Sequence, residues 1–568
     1  MMGAAMRKAV GSLYGYKILL AGTRGPMNRL RQVPLPDGFV IVTSDPAKAV
    51  EARLRPYTLD SIATALAQVS VRGFDRKEEF RKAVEGRGWD ADITFRPVTL
   101  RRLMDAAVRG RGLPDKATRP VTLEALKAAE DGLHDVLPRA DAEANKTEAE
   151  IHAMALRALQ VQFADQLGYY GYYQEVAACL ETITTAREGG LDLDDVFRTA
   201  YGCSFGDIAF VTFAMFAEAA AARDVAQFNS RDLNKSRQIR NLADATVEAV
   251  WDHCAMTYEQ YKSRLDDPGV LVPGYEAYAL SPLVKWPLVV RSDGNAVAPI
   301  AGDLLHRGPR VFEVDALQAL EKVPPERVGP FSRALGEAYE RYVGESLERS
   351  KGAGEVRHGS TVFRGDKRYC DWVCIAGREV VLVEVKSVWF HLRTNVTKER
   401  ERLKRELSRD GNLADALIQL DEAARAIRES KTPLAKNSHL VGLIVVRGEQ
   451  VGLNSPYIRG VLEEIVAERG REPPIVKYQL TNDLGFSHIV KMMSAGRYSL
   501  GRFLRKKMRD GIHMYDDMHF AVERLCKTLP EHPLVDKHAA LVDELFESFA
   551  PGLAEAASGS GRGQGRQR

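Results

Sequence analysis

Two short apolar segments, separated by a four-residue turn, constrain the fold more than any other feature of this chain. The segments are 369–375 (YCDWVCI) and 380–386 (VVLVEVK), and AGRE stands between them. β-Branched residues on both sides of a glycine-containing turn predict a β-hairpin. With Gly377 and Arg378 as the two turn residues, the pairing register of the hairpin is fixed.

This register brings two carboxylates together. It pairs Val373 with Leu382 and places Asp371 directly opposite Glu384, with Cβ atoms ~5 Å apart. Two carboxylates at that distance repel each other, which raises one of their pKa values unless a cation lies between them. The hairpin therefore predicts either a cation site or a strongly perturbed acid.

Side-chain alternation along the second segment adds a lysine to the pair. Leu382, Glu384 and Lys386 point to one face, and the valines between them point to the other. A strand this apolar is expected at the centre of a sheet, where charged groups are costly to bury. Such a conflict between local pattern and burial indicates a functional site.

Asp371, Glu384 and Lys386 suit the metal-dependent hydrolysis of a phosphodiester. Mg²⁺ is held by one or two carboxylates together with waters and phosphate oxygens, and Mn²⁺ is an expected substitute. Such a metal lowers the pKa of a bound water and neutralises charge on the phosphate. The lysine can orient or deprotonate the water or stabilise the pentacovalent state, and the sequence leaves these roles open.

Asp371, twelve intervening residues and then Glu384-Val385-Lys386 after an apolar strand resemble the motif of the PD-(D/E)xK (restriction-endonuclease-like) nuclease superfamily. The core of that family is a helix, a three-stranded meander, a helix and a further strand. A similar order is predicted within residues 311–500: helix 331–348, strands 355–363, 369–375 and 380–387, helix 413–428 and strand 440–446.

The resemblance implies two further site residues. Glu340 borders the apolar stripe of the first helix, with Gly336 and Gly344 leaving space around its carboxylate. It matches the family's first-helix acid, an accessory ligand of the metal or the water, and an ordinary solvated glutamate is the alternative. Gln419 borders the apolar face of the later helix and matches the glutamine that many members place near the site.

One position departs from the family pattern. Cys370 stands where the proline that gives the motif its name is expected, although many members lack that proline. Asp366 is a second candidate for the metal-binding aspartate, but the hairpin register does not place it opposite Glu384, which favours Asp371. His391 could reach the site, but we expect it in a loop.

The rest of the chain predicts a multidomain protein in which a mostly α-helical N-terminal region precedes an α/β nuclease-like core, a mixed sheet flanked by helices. The predicted parts are a short α/β segment (1–58), a helical region (59–265), a linker with a β-hairpin (266–310), the nuclease-like domain (311–500), C-terminal helices (501–557) and a flexible tail (558–568).

Two local patterns in the helical region carry expectations of their own. The apolar run 208–222 is shorter than the ~20 residues that span a bilayer, so a buried helix is predicted. The tyrosine-rich segment 169–173 suits either stacking on nucleic-acid bases or packing between helices, and packing is the more ordinary of the two.

The net charge of +3 neither demands nor excludes a nucleic-acid partner, so any basic footprint must be local. Between Lys386 and Arg409 there are eight basic and three acidic residues, and a second basic run covers 497–509. Either run can contact phosphates or form a solvated helix face. Six scattered cysteines and no signal peptide favour a reduced, cytoplasmic protein that does not enter a membrane.

The expected function is that of a Mg²⁺-dependent endonuclease or exonuclease, acting on DNA rather than RNA. Restriction or anti-phage defence is the setting that the resemblance suggests. The alternative is a non-cleaving nucleic-acid-binding or assembly module. A further alternative is that the helical region holds the main function and the nuclease domain is an effector that it restrains. The helical region is also the expected surface for a second copy or a partner protein. The expected catalytic residues are Asp371, Glu384, Lys386, Glu340 and Gln419, and the expected metal ligands are Asp371, Glu384 and Glu340.

Overall fold

The computed structural model describes residues 46–133, 169–230, 242–267, 281–316, 328–363, 369–387, 397–509 and 529–549, apart from short gaps within these ranges, and a few isolated positions. The chain divides into two compact units. The first unit combines residues 1–145 with 201–314, and the second combines 146–200 with 315–568. Because the units alternate along the chain, the helix at 169–188 packs within the second unit although its sequence continues the alanine-rich region.

The described α-helices are, in chain order, α1 (Pro46–Leu54), α2 (Leu59–Asp75), α3 (Pro97–Arg109), α4 (Leu123–Leu133), α5 (Tyr169–Glu188), α6 (Leu193–Tyr201), α7 (Phe205–Ala221), α8 (Asp244–Cys254), α9 (Tyr258–Leu265), α10 (Ala301–Val314), α11 (Val328–Glu348), α12 (Gly359–Val362), α13 (Arg400–Leu407), α14 (Leu413–Arg428), α15 (Pro456–Glu468), α16 (Asp483–Ser494), α17 (Leu500–Arg509) and α18 (Val535–Phe549).

The described strands are β1 (Ala255–Thr257), β2 (Leu288–Val290), β3 (Ala296–Val297), β4 (Glu355–His358), β5 (Trp372–Ala376), β6 (Glu379–Lys386), β7 (His439–Val446) and β8 (Lys477–Thr481). Short 3₁₀ turns lie at Pro282–Val284 and Lys351–Ala353. The expectation of a multidomain protein, rich in helix and with an α/β part built on a mixed sheet, is confirmed at this level.

The first unit is helical around a small sheet in the order β1-β2-β3. The hairpin predicted in the linker is confirmed, because β2 and β3 are antiparallel and the Arg291 amide donates to the carbonyl of Asn295. β1 was not predicted. It pairs in parallel with β2, a contact between distant segments that no local pattern reveals.

The apolar run at 208–222 forms a buried helix, as predicted. α7 begins with a capping box between Ser204 and Asp207, and the buried Thr212 hydroxyl donates to the Ile208 carbonyl at 2.7 Å. None of the described helices is long and apolar enough to span a bilayer by itself, although α6 and α7, bent by 69° at their junction, reach that length and composition together.

The second unit contains a five-stranded sheet in the order β4-β5-β6-β7-β8. The β4–β5 and β5–β6 pairs are antiparallel, while β6–β7 and β7–β8 are parallel, so β6 is the central strand. Alternate residues of β6 enter two hydrophobic clusters, with Leu382 on the face packed by α14 and Val381 and Val383 on the face packed by α11 and α16. Helices therefore cover both faces.

Most element bounds in this unit agree with the sequence, and one prediction was wrong. The strand expected at 355–363 ends at His358 and continues as the short helix α12. A side chain at Gly359 would collide with the carbonyl of Cys370, so this close crossing requires glycine. The turn of α12 buries Val362 and Phe363 in the cluster beside α14.

Several predicted features lie outside the described residues, among them the segment 1–45 and the tail 558–568. The tyrosine-rich segment falls in α5, where Tyr172 is completely buried, as helix packing requires. All six cysteines are buried, and none of the six forms a disulfide, as the lack of a disulfide framework in the sequence predicted.

Candidate active site

β6 supplies the two residues on which the site is built. Glu384 and Lys386 alternate with valines whose side chains enter the cluster beneath α11, so both polar side chains point toward α14. Glu384 is only 1% exposed, and the side chain of Lys386 is 14% exposed. The strand therefore carries a buried carboxylate and a nearly buried ammonium at its C-terminal end.

The hairpin register is confirmed as far as Trp372, which pairs with Val383. Asp371 does not continue the ladder to Glu384. Its backbone amide donates to the carbonyl of Val383 at 3.1 Å, so Asp371 and Trp372 both lie opposite Val383, as in a β-bulge. The bulge directs the Asp371 carboxylate along the strand, where it accepts a hydrogen bond from the Val385 amide at 2.8 Å.

Lys386 makes two hydrogen bonds, one within β6 and one to α14. Its Nζ donates to Glu384 Oε1 at 2.6 Å and to Gln419 Oε1 at 3.1 Å. An ammonium has three donors, so these contacts use two of them. The second oxygen of Glu384 is buried and has no hydrogen-bond partner among the described residues. The arrangement leaves one carboxylate oxygen of Glu384 free to accept.

The surroundings of Glu384 disfavour its charged form. Burial and the nearby Asp371 carboxylate raise the pKa of Glu384 to about 8, against the opposing effect of Lys386. Glu340 adds a smaller contribution in the same direction. The three carboxylates therefore interact electrostatically, and a cation placed among them would relieve the repulsion.

Glu340 lies on α11, and its surroundings differ from the prediction that Gly344 leaves open space beside the carboxylate. The space beside Gly344 is filled by the Trp372 ring, and the indole N–H donates to the Glu340 carbonyl at 3.2 Å. The carboxylate of Glu340 contacts His358 Nε2 at 3.1 Å. Glu340 is half-buried and partnered, unlike a freely solvated glutamate.

Two residues around this acid were not singled out from the sequence. His358 pairs across the ladder with Trp372, and their rings meet edge to face with centroids 5.1 Å apart. The sequence signal for His358 was only its position within the first predicted meander strand, 355–363. The register between β4 and β5, which brings the two rings together, could not be derived from the loop sequence.

Two alternatives to the chosen residues, Asp366 and His391, lie outside the described residues. Among the residues that are described, no three His, Cys, Asp or Glu side chains come close enough together to hold a metal ion by themselves. Mg²⁺ does not require such a group, because it keeps several waters and binds one or two carboxylates plus substrate phosphates. Asp371 and Glu384 are the carboxylates that could provide this, with Glu340 as an accessory.

The two basic runs differ from a simple phosphate-binding stripe. In α13, Arg400 contacts Glu464 at 2.5 Å, and Lys404 contacts the same carboxylate at 2.6 Å. In α17, Arg505 pairs with Glu379, and Lys507 is buried. Part of each run is therefore used inside the unit, which reduces the charge available to a nucleic acid.

No protein-family model matches the sequence of this chain, and no curated protein matches it either.

Proposed function

We propose that the second unit hydrolyses phosphodiester bonds in nucleic acid with the help of Mg²⁺, and that DNA is the substrate rather than RNA. The observation that carries this proposal is the buried Glu384 carboxylate, with one oxygen bound to Lys386 and the other without a partner among the described residues. An acid in that environment destabilises a central strand, and such a cost is typical of a functional group.

The residues present fit a divalent cation of the hard, oxygen-binding class. Asp371 and Glu384 would hold it through carboxylate oxygens, and Glu340 would assist directly or through a water. When bound, such a metal lowers the pKa of a coordinated water and neutralises charge on the phosphate. The repulsion that raises the pKa of Glu384 is the kind that a cation between two carboxylates removes.

Lys386 is held in place in the proposed site by its neighbours. Its ammonium fixes one oxygen of Glu384 and is itself held by Gln419, so it is positioned before substrate arrives. The remaining N–H of the ammonium can donate to a phosphate oxygen or to the attacking water, and its charge stabilises the more negative transition state. Gln419 is therefore a positioning residue for Lys386.

The element order supports the same proposal. α11, the meander β4-β5-β6, α14 and β7 follow each other along the chain in the order that is similar to the PD-(D/E)xK core. The resemblance also implies roles for Glu340 on the first of these helices and Gln419 on the later one, and Gln419 accepts a hydrogen bond from Lys386. Restriction or anti-phage defence is the setting that we propose by analogy with that family.

The test is cleavage of supercoiled plasmid, linear duplex, single-stranded DNA and RNA by the purified chain with Mg²⁺, Mn²⁺ or EDTA. Cutting that requires metal and disappears in Lys386→Ala and Asp371→Asn is the expected result. The matched control is Lys351→Ala, because Lys351 is an exposed lysine of the same unit.

Failure to cut any substrate, together with no thermal stabilisation by Mg²⁺, would overturn the proposal of nuclease activity and favour a non-cleaving binding module. Failure to cut with clear stabilisation by Mg²⁺ would indicate a nuclease that the rest of the chain restrains. Cutting that persists in Lys386→Ala would place the activity elsewhere in the chain.

A further inference from the structure

His358 lies where β4 ends and α12 begins, and its imidazole ring has a polar contact on each nitrogen. Nδ1 contacts Ser360 in the first turn of α12, and Nε2 contacts the carboxylate of Glu340 on α11. The ring therefore connects the first helix of the candidate active site to the turn that follows the first strand of the meander.

The contacts of the two nitrogens determine the tautomer of His358. The backbone amide of Ser360 is 3.3 Å from Nδ1, and an amide N–H can only donate. Nδ1 therefore carries no proton, and the Ser360 hydroxyl, 2.7 Å from the same nitrogen, also donates to it. The proton of the neutral ring consequently lies on Nε2, which donates to Glu340 Oε1 at 3.1 Å.

Trp372 holds both His358 and Glu340. It pairs with His358 across the β4–β5 ladder, and the two rings meet edge to face with centroids 5.1 Å apart. The indole N–H of Trp372 donates to the backbone carbonyl of Glu340 at 3.2 Å. The backbone and the carboxylate of Glu340 are thus held by two residues that are paired with each other, so β4 and β5 together orient this acid.

Glu340 keeps one carboxylate oxygen for another partner. The contact with His358 is the one hydrogen bond or ion pair that the described part of the chain makes with this carboxylate. The side chain is 26% exposed, so the carboxylate is not sealed from solvent. Its charge acts on Glu384, whose pKa it helps to raise. Glu340 therefore lies near the proposed metal ligands with one oxygen fixed by protein.

We infer that His358 is a positioning residue, which fixes Oε1 of Glu340 so that the other oxygen of this carboxylate is available to Mg²⁺ or to one of its waters. The inference rests on the metal site of the proposed function and assigns to His358 no contact with metal or substrate. Hydrogen-bond partners of metal-binding groups hold them in place before the metal arrives, and removing such a partner typically weakens metal binding about 10- to 100-fold.

Two substitutions separate this role from a simple cap of α12. His358→Asn keeps the cap, because asparagine is a preferred capping residue and its amide oxygen replaces Nδ1, but its shorter side chain does not reach Glu340. His358→Gln has the opposite effect. Its amide N–H lies close to the position of Nε2 and can donate to Glu340, whereas glutamine is not among the preferred capping residues.

The measurement is the thermal stabilisation of the full chain as Mg²⁺ is titrated, which gives the dissociation constant without any cleavage. We expect His358→Asn and His358→Ala to raise that constant about tenfold, and His358→Gln to stay within about threefold of the parent. In the cleavage assay, the Mg²⁺ concentration for half-maximal rate should rise by the same factor, while the rate at saturating Mg²⁺ stays within about threefold.

The matched control is His439→Ala, which should bind Mg²⁺ as the parent does. His439 is exposed and begins β7, whereas Lys386 pairs with Val446 at the other end of that strand.

Equal Mg²⁺ affinity in His358→Asn and the parent would overturn the inference, and so would His358→Gln that binds Mg²⁺ as weakly as His358→Ala. Variants that lose stability in EDTA but keep the parental Mg²⁺ affinity would show that His358 only caps the helix. A parent that does not respond to Mg²⁺ would overturn the proposed metal site and this inference with it. Failure of the metal site is thus distinguishable from failure of the role of His358, in which the parent and the variants respond equally.

Discussion

Two buried carboxylates, one in each unit, show how similar burial can serve different purposes. In the first unit, burial raises the pKa of Asp105, and the hydroxyls of Tyr261 and Ser281 donate to its Oδ1 at 2.7 and 2.8 Å. In the second unit, burial also raises the pKa of Glu384, but one of its oxygens has no partner among the described residues.

The two carboxylates differ in the groups that surround them. Two of the groups around Asp105, Tyr261 and Ser281, satisfy its carboxylate, and the result is a polar link between three elements of a helical core. The groups around Glu384 include another carboxylate, which repels it. A satisfied buried acid holds a fold together, whereas an unsatisfied one keeps the capacity to bind something from outside.

The largest expected effect is on the rate of metal-dependent cleavage. Lys386→Ala and Glu384→Gln should each lower the rate of metal-dependent cleavage by at least about 100-fold, because each removes a charge that acts in the transition state. Initial rates on the preferred substrate are the measurement. Asp105→Asn should cleave at close to the parental rate, and a comparable loss in that variant would break the comparison.

The next effect is on stability. Asp105→Ala leaves two buried hydroxyls without their acceptor and should lower the free energy of unfolding by about 2–4 kcal/mol. Urea denaturation measures the loss. Asp252→Ala, at an exposed aspartate of the same unit, should stay within about 0.5 kcal/mol of the parent. If Glu384→Gln lowers the free energy of unfolding as much as Asp105→Ala does, the two acids do not differ in their contribution to stability.

Mg²⁺ should stabilise the protein through Glu384 and not through Asp105. Mg²⁺ at a hundredfold excess over its dissociation constant should stabilise the parent by about 2.7 kcal/mol, since it binds the folded state. Glu384→Gln should be at least as stable as the parent in EDTA and should lose the response to Mg²⁺. A full response in Glu384→Gln would remove this residue from the metal site.

The last expected effect is a pH dependence of stability in EDTA. The pKa of Glu384 is raised from 4.5 to about 8, so between these values the folded state holds a proton that the unfolded state has released. Its contribution to the free energy of unfolding therefore falls as pH rises from about 4.5 to about 8. Melting temperatures at pH 5.5 and 8 should differ less in Glu384→Gln than in the parent, and parallel profiles would contradict the sign.

The sequence predicted the hairpin well because a two-residue turn fixes its register locally. The pairing of Val373 with Leu382 is as expected, and so is the alternation of β6 between two faces. The bulge at Asp371 was not predictable. At the bulge the Gly359 amide of α12 donates to the carbonyl of Asp371 at 2.7 Å, a contact that the sequence of the hairpin does not reveal.

The sequence by itself determined which polar side chains share one face of β6, because period-two alternation and a short turn are local properties of the chain. Only the tertiary structure decided that Glu384 is buried with one unsatisfied oxygen, that Glu340 contacts His358, and that the Trp372 ring fills the space beside Gly344. Each of these depends on segments far apart in sequence, whose relative placement is set by packing on both faces of one sheet.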